Sequence, residues 1–157
     1  MPACRIIIIG YGNDLRGDDA AGRIVAERLA ALSLPEVQVV STPQLAPELA
    51  AQLAHAHTAI FIDADMSGCG GVRVTHVLSG STWSALHHTI TPEGLLALTA
   101  AVYGQAPDSW LIHIPAIDCS PGDSLSLHTQ DAIARAVEIA LSLIVQDHQP
   151  PARVDLV

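Results

Sequence analysis

The order of apolar and polar positions along the chain predicts buried strands that alternate with amphipathic helices. Residues 6–9 are consecutive isoleucines, a pattern typical of a strand buried on both faces of a parallel sheet. A glycine-rich turn follows at residues 10–13, and a helix is predicted to begin at Asp18 or Asp19 and to end before Pro35. The apolar residues of this helix recur at helical spacing: Ala21, Val25, Leu29 and Leu32.

The rest of the chain continues the same alternation. Further strands are predicted over residues 37–40, 58–62, 72–77 and 110–114, and further helices over residues 46–54, 92–102 and 129–145. Valine alternates with polar side chains in residues 72–77, which indicates an edge or half-exposed strand. The order β-α-β-α-β-β-α-β-α predicts a mostly parallel sheet covered on both faces. A single domain over residues 1–157 is expected, with a frayed tail at residues 149–157.

Composition and charge narrow the range of partners. Half of the 157 residues are hydrophobic, which is enough for a sizeable core. The chain has 16 acidic residues against 7 basic ones, all of them arginine, and its formal charge is -9. This balance argues against a nucleic-acid partner and an anionic membrane surface, because both are bound through basic patches. The apolar run at residues 6–9 is also too short to cross a bilayer.

The three cysteines, Cys4, Cys69 and Cys119, are widely spaced. No two of them have the CxxC spacing of a zinc or redox site, and an odd number does not suggest a disulfide framework. A reducing, cytoplasmic setting is therefore expected.

Polar side chains follow the predicted strands at the ends where open α/β sheets bind ligands. Carboxylates come after the first, third and last of the main strands, and two histidines precede the third helix. These polar residues are Asn13, Asp14, Asp18, Asp19, Ser41, Thr42, Gln44, Asp63, Asp65, His87, His88, Asp118 and Asp123. Carboxylate oxygen and imidazole nitrogen suit a divalent transition metal, and two carboxylates with one histidine leave coordination positions open.

Each candidate also has a purely structural interpretation. Asp18 and Asp19 are both suited to cap a helix, and as neighbours they point in different directions. Asp63 has the position of an ordinary turn residue as well as that of a ligand at a strand end. The residues alone favour solvated loop positions for His87 and His88, so a shared metal site and these alternatives both stay open at this point.

The sequence lacks the motifs of several other classes of enzyme and nucleotide-binding protein. After Gly10-Tyr11-Gly12 the next glycine is Gly17, so the spacing of a dinucleotide fingerprint fails. A chain without lysine has no P-loop, and neither a GxSxG nucleophile elbow nor the HExxH motif of zinc proteases is present. Cys69, set among glycines, has no recognisable nucleophile signature around it.

Three segments resemble the hydrogenase maturation endopeptidases. Residues 8–22, IIGYGNDLRGDDAAG, resemble the family's amino-terminal signature: G-x-G-N, two or three residues, G-D-[DE] and a nearby glycine. Residues 61–65, FIDAD, followed by Gly68, resemble its second block, an apolar strand that ends in Asp-Ala. His88, shortly ahead of an amphipathic helix, resembles its third block. With further matches at residues 102–104 and 122–126, the resemblance covers essentially the whole chain.

The resemblance implies a three-layer α/β fold, with a mostly parallel, twisted sheet of about five strands and helices on both faces. It also implies an endopeptidase that removes a short C-terminal extension from a nickel-loaded [NiFe]-hydrogenase large-subunit precursor. In this family an acid of the first block, the aspartate of the second and the histidine of the third bind nickel. The matching residues here are Asp19, Asp63 and His88, expected to be both catalytic and metal-contacting. The nickel is expected to come from the precursor rather than from a permanently bound cofactor, and the enzyme is expected to be a monomer.

One loop departs from many relatives, which have an aspartate and a glycine-rich turn after the second strand. Here the segment is Ser41-Thr42-Pro43-Gln44, which we interpret as the mark of a subfamily with a different precursor. Two other functions are kept as alternatives. One is a non-catalytic, metal-sensing docking or chaperone protein for hydrogenase assembly, and the other is a hydrolase of similar fold with an unrelated substrate.

Overall fold

The computed structural model describes residues 4–67, 70–80, 89–122 and 124–149. Within them the strands and helices follow one another in the predicted order. The strands are β1 (Ile6–Tyr11), β2 (Val37–Thr42), β3 (Thr58–Asp65), β4 (Arg73–Val77) and β5 (Asp108–Pro115). The α-helices are α1 (Ala21–Ala30), α2 (Leu49–Leu53), α3 (Pro92–Tyr103) and α4 (Leu127–His148).

The strands form one sheet in the order β2-β1-β3-β5-β4. β1 pairs in parallel with β2 and β3, and β3 pairs in parallel with β5. β4 is antiparallel to β5 and lies at an edge, as its mixed polar and apolar sequence predicts. The expected α/β fold with a mostly parallel sheet is thus confirmed. The carboxyl ends of β2, β1, β3 and β5 meet at one edge of the sheet, named here the carboxyl edge.

The isoleucine run explains how the sheet is covered on both faces. Ile6 and Ile8 pack with residues of α1 and α4, whereas Ile7 and Ile9 pack with residues of α2 and α3. All four are fully buried. Successive side chains of a strand point to opposite faces, so an uninterrupted apolar run suits a sheet between two helical layers.

The boundaries of α3 agree with the sequence. Thr91 is its N-cap, and the Thr91 Oγ1 atom accepts a hydrogen bond from the N–H of Gly94 at 3.1 Å. Gly104 ends the helix with a φ of 79°, the left-handed conformation that glycine adopts without strain. The helix that follows the predicted His88 block therefore begins where its capping residues indicate.

Other helix boundaries differ from the prediction. The first helix is preceded by a 3-10 turn, Gly17–Ala20, and α1 itself begins at Ala21 rather than at Asp18 or Asp19. Gly17, with a φ of 51°, and the long-range hydrogen bonds of Asp18 hold this tighter turn.

The second and last helices also differ. The predicted helix over residues 46–54 is shorter, because Leu49 donates a hydrogen bond to Ala46 in a tight turn before α2 begins. The predicted start of the last helix at Thr129 was late, because the Ser126 Oγ atom caps α4 by accepting from the Thr129 N–H at 3.2 Å. The tail from residue 150 onward, predicted to be frayed, lies outside the described residues. None of the described helices is both long and apolar enough to span a membrane.

Candidate functional site

The glycines of the first motif allow the start of α1 to lie against the sheet. A Cβ atom on Gly22 would stand 2.3 Å from the carbonyl oxygen of Ile62, and one on Gly10 would stand 2.2 Å from that of Gly22. Gly12 has a φ of 147°, and a Cβ atom there would stand 2.0 Å from the carbonyl oxygen of Asp19. Only glycine fits such close backbone contacts. The motif therefore brings the turn that carries Asp19 to the carboxyl edge, beside the end of β3.

Asp18 is fully buried, and its carboxylate is directed at the loop that follows β5. Its carboxylate accepts hydrogen bonds at 2.9 Å from the backbone N–H groups of Ile117 and Asp118. It also accepts from the N–H and the hydroxyl of Ser126, both at 2.8 Å. Burial alone raises the pKa of Asp18, but these hydrogen bonds outweigh it and hold the pKa well below its usual value. Asp18 ties the β5–α4 connection to the first motif, and its prediction as a cap of its own helix was wrong.

Asp19 faces the other way, as expected for the neighbour of Asp18. Its side chain is half-buried, and its Oδ2 atom accepts a hydrogen bond from the N–H of Asn13 at 2.9 Å. The Asn13 Oδ1 atom in turn accepts from the N–H of Leu15 at 2.9 Å, which fixes the loop around it. Within the described residues no other hydrogen bond holds the Asp19 carboxylate, so its Oδ1 atom has no hydrogen-bond partner among them.

Asp63 is the second carboxylate at this edge. Burial is the main cause of a pKa raised to about 6. Hydrogen bonds from the Tyr11 hydroxyl and the Ala64 N–H oppose the rise, and the charges of Asp19 and Asp65 add to it. Asp63 and Asp19 are therefore close enough to repel each other, although they come from different elements. A bound cation stabilises two neighbouring carboxylates, especially when one of them is partly desolvated.

Tyr11 was missed by the sequence reasoning, which assigned it to the turn after the first strand. β1 continues through Tyr11, whose side chain packs on the same face as Ile7 and Ile9. The available signal was this period of two. Burial, followed by the charge and the hydrogen bond of Asp63, holds the pKa of Tyr11 far above its usual value. The phenol therefore stays protonated beside the Asp63 carboxylate.

The same sheet face carries further polar residues, because strand register brings them together. Asp63 is the register partner of His113 in β5, and His113 is the partner of Arg73 in β4. The His113 Nε2 atom lies 2.9 Å from the Thr75 hydroxyl oxygen, and the side chain is half-buried. Burial, and next the charge of Arg73, lower the pKa of His113, which favours its neutral form. His113 was interpreted from the sequence as a packing residue, and its half-buried position in the strand agrees with that.

Asp65 differs from Asp63 in having its charge compensated. Hydrogen bonds from Ser67, followed by the Arg73 guanidinium at 2.7 Å, lower its pKa to about 2. Asp65 is thus a permanently ionised carboxylate in an ion pair. Of the two acids at the end of β3, Asp63 is the one that has no ion-pair partner among the described residues.

The third residue of the predicted nickel set, His88, lies outside the described residues, as do His87, Cys69 and Asp123. The structure therefore brings together Asp19 and Asp63, and the role of His88 stays a prediction. Among the residues that are described, no group of three or more His, Cys, Asp or Glu side chains is arranged to hold a metal ion.

The loop that departs from many relatives begins at the end of β2. The Ser41 hydroxyl donates to Glu27 at 3.1 Å and accepts from the Arg23 Nε atom at 3.2 Å. Arg23 also forms an ion pair with Asp14 at 3.2 Å, so Ser41 is linked through α1 to the loop of the first motif. Gln44 is exposed beyond this network.

Comparison with known proteins gives a match in structure but not in sequence. No family model matches the chain, and no curated protein does. Among solved structures, the [NiFe] hydrogenase maturation protease HycI from Thermococcus kodakarensis KOD1 matches with a TM-score of 0.72 and 24% identity, over 90% of this chain and 93% of that one. The chain has the fold of this protease.

Two further solved structures match the fold of the chain over most of its length. The hydrogenase maturating endopeptidase HybD from E. coli has a TM-score of 0.70 and 23% identity, over 92% of this chain and 94% of its own. The hydrogenase 2 maturation peptidase from Thaumarchaeota archaeon SCGC_AB-539-E09 has a TM-score of 0.69 and 24% identity, over 90% and 98%. The resemblance drawn from the motifs is thereby confirmed at the level of the fold. Because one fold supports many activities, function has to be argued from the site.

Proposed function

We propose that this protein is an endopeptidase that removes a short C-terminal extension from a nickel-loaded [NiFe]-hydrogenase large-subunit precursor. The observation that carries the proposal is that the packing of Gly22 against Ile62 brings the turn with Asp19 to the carboxyl edge, beside Asp63. Asp19 and Asp63 are two carboxylates from separate elements, one of them partly desolvated, in a fold shared with hydrogenase maturation proteases. The sequence motifs around both residues point to the same activity.

Nickel belongs to the substrate in this proposal, and no permanently bound cofactor is required. Asp19 and Asp63 supply oxygen donors and His88 supplies an imidazole nitrogen, a set that suits a divalent transition metal. Three protein donors leave positions for the ligands that the precursor already provides. The repulsion between the two carboxylates is relieved when a cation arrives. The enzyme thereby distinguishes a precursor that holds nickel from one that does not.

Contact with the nickel also positions the scissile bond. Fixing the precursor through its metal converts recognition into proximity, which lowers the barrier to reaction. The metal either polarises the scissile carbonyl or activates a water molecule, and hydrolysis adds water across the C–N bond. The protonated Tyr11 hydroxyl beside Asp63 favours the ionised carboxylate that a cation requires.

We further propose that the protein acts in the cytoplasm as a monomer. Cys4 and Cys119 are free thiols, which suits a reducing compartment. A formal charge of -9 favours solubility and keeps copies of the chain apart.

The proposal is tested by incubating the protein with nickel-loaded precursor and separating the products by gel electrophoresis. The wild-type protein is expected to shorten the large subunit. Asp19→Asn, Asp63→Asn and His88→Gln are each expected to abolish this while leaving the circular dichroism spectrum unchanged. Asp131→Asn, which removes an exposed carboxylate of α4, is the matched control and should cleave normally.

Two outcomes would contradict the proposal. Full cleavage by any of the three site variants would remove that residue from the mechanism. A wild-type protein that binds the precursor and leaves it intact would favour the alternative of a docking or chaperone protein.

A further inference from the structure

Two loops at the carboxyl edge are joined into one rigid unit. The first loop, residues 13–18, follows β1, and the second loop, residues 117–122, follows β5. Backbone hydrogen bonds of 2.8 to 2.9 Å run in both directions, from Gly17 to Gly122 and from Gly122 to Leu15. The Asp18 carboxylate of the first loop also accepts hydrogen bonds from the N–H groups of Ile117 and Asp118 in the second. Loops held in this way present their outer side chains in fixed positions.

Large apolar side chains lie exposed on this unit. Leu15 in the first loop is 71% exposed, and Ile117 in the second is 58% exposed. Met66, which follows β3 at the same edge, is also 58% exposed, and the Cys119 thiol contacts its sulfur atom. We name Leu15, Met66 and Ile117 the apolar rim. Large apolar side chains exposed on neighbouring, hydrogen-bonded loops favour a site of interaction.

The apolar rim is carried by segments that neighbour the residues of the candidate site. Leu15 is in the loop that leads to Asp19, and Met66 follows closely on Asp63 along the chain. The N–H of Ile117 donates a hydrogen bond to the carboxylate of Asp18, the residue before Asp19. An extended peptide advances about 3.3 to 3.6 Å per residue. A chain whose scissile bond is held at Asp19 and Asp63 would therefore reach the rim within a few residues of that bond.

The negative charge of these loops limits which peptides can bind to the apolar rim. Arg16 is the only basic residue in residues 13–19, 63–67 and 116–122, whereas aspartates occur in all three segments. A peptide that carried carboxylates across this surface would be repelled. The surface therefore suits a peptide with large apolar side chains and without acidic ones.

We propose that the apolar rim binds the segment of the precursor that flanks the scissile bond, and that it selects large apolar side chains there and rejects acidic ones. This inference rests on the proposed function, because the occupant is the peptide that the enzyme cleaves. The rigidity of the two loops favours binding, since little loop ordering is required when the peptide arrives.

The test compares rim variants with matched controls in steady-state cleavage of nickel-loaded precursor. Leu15→Ser and Ile117→Ser remove rim contacts, whereas Leu32→Ser and Val145→Ser remove exposed apolar side chains from other parts of the surface. Each rim variant is expected to raise KM about tenfold with little change in kcat, the result of losing binding shared by ground state and transition state. The two control variants are expected to keep the wild-type KM. Leu15→Ala and Ile117→Ala are expected to give smaller increases.

A second arm changes the precursor instead of the enzyme. Replacing the large apolar residue nearest the scissile bond by Asp is expected to raise KM for the wild-type enzyme, and by less for Leu15→Ser. If the wild-type protein cleaves and the rim variants have the same KM as the controls, the role of the rim is wrong and the proposed function stands. If the wild-type protein does not cleave the unaltered precursor, the proposed function is wrong, and the inference is wrong with it.

Discussion

At the residue scale, the adjacent aspartates Asp18 and Asp19 have different roles. The Asp18 carboxylate is fully buried and its hydrogen-bonding capacity is used within the protein, by Ile117, Asp118 and Ser126. Asp19 is half-buried and accepts one backbone hydrogen bond, from Asn13, among the described residues. The first carboxylate therefore stabilises the fold, and the second keeps the oxygen atom that the proposed function requires for nickel.

This difference predicts that alanine at position 18 mainly lowers stability and that alanine at position 19 mainly lowers activity. Asp18→Ala should lower the free energy of unfolding by about 2 to 4 kcal/mol, because several buried donors lose a charged acceptor. Asp19→Ala should lower it by less than about 1 kcal/mol but abolish cleavage. Urea unfolding at neutral pH measures the first effect and precursor cleavage the second. Equal losses of stability in the two variants would contradict the assignment.

At the scale of elements, the close packing of α1 on the sheet determines where Asp19 lies. The backbone at Gly22 rests against the carbonyl oxygen of Ile62, one residue before Asp63. The helix cannot move outward without carrying the preceding 3-10 turn, and Asp19 with it, away from β3. The glycines of the first motif thus act on the site through packing rather than by contacting a ligand.

Gly22→Ala is therefore expected to affect both stability and activity. Its new Cβ atom would stand 2.3 Å from a carbonyl oxygen, a backbone clash that only a shift of α1 relieves. We expect a loss of about 1 to 3 kcal/mol of stability, together with a larger loss of cleavage rate. Gly71→Ala is the control, since a Cβ atom there meets nothing within 4 Å. Cleavage by Gly22→Ala at the wild-type rate would show that the position of α1 does not matter to the site.

Across the whole molecule, the sequence predicts the sheet better than it predicts the site. Local patterns identify every strand of the sheet. The apolar runs of β1 and β3 are buried, whereas the edge strand β4 shows an alternation of valine with polar side chains. The separate roles of Asp18 and Asp19 depend on partners 99 to 108 positions away, which no local pattern reveals. The contribution of Tyr11 depends in the same way on the neighbouring strand. The family resemblance chose Asp19 over Asp18, and the hydrogen bonds supply the physical reason.

One long-range contact at the opposite edge of the sheet joins the two ends of the described chain. The Arg5 Nε atom lies 2.6 Å from a carboxylate oxygen of Asp147 near the end of α4, and Thr58 also donates to this carboxylate. Burial opposes ionisation of Asp147, but the hydrogen bond from Thr58 and the interactions with Arg5 lower its pKa. The ionised form is therefore favoured by folding.

The lowered pKa predicts how the free energy of unfolding depends on pH. An aspartate whose pKa is lower in the folded state stabilises the protein above its unfolded value, about 3.9, and loses this effect as the pH falls through the folded value. Asp147→Asn should cost about 1 kcal/mol at neutral pH, a modest amount because Arg5 is partly exposed to solvent. The difference from wild type should shrink as the solution is acidified below about pH 4, and urea unfolding over a pH series measures it. A difference that stays constant with pH would contradict the ionic role of Asp147.

The mass of the large subunit tests the central claim most directly. Nickel-loaded and metal-free precursors are incubated side by side with the wild-type protein, and each is weighed intact by mass spectrometry. We predict that the nickel-loaded precursor loses a short C-terminal extension and that the metal-free precursor keeps its full mass. An unchanged mass in both would contradict the peptidase activity, and equal shortening of both would contradict nickel as the recognition element.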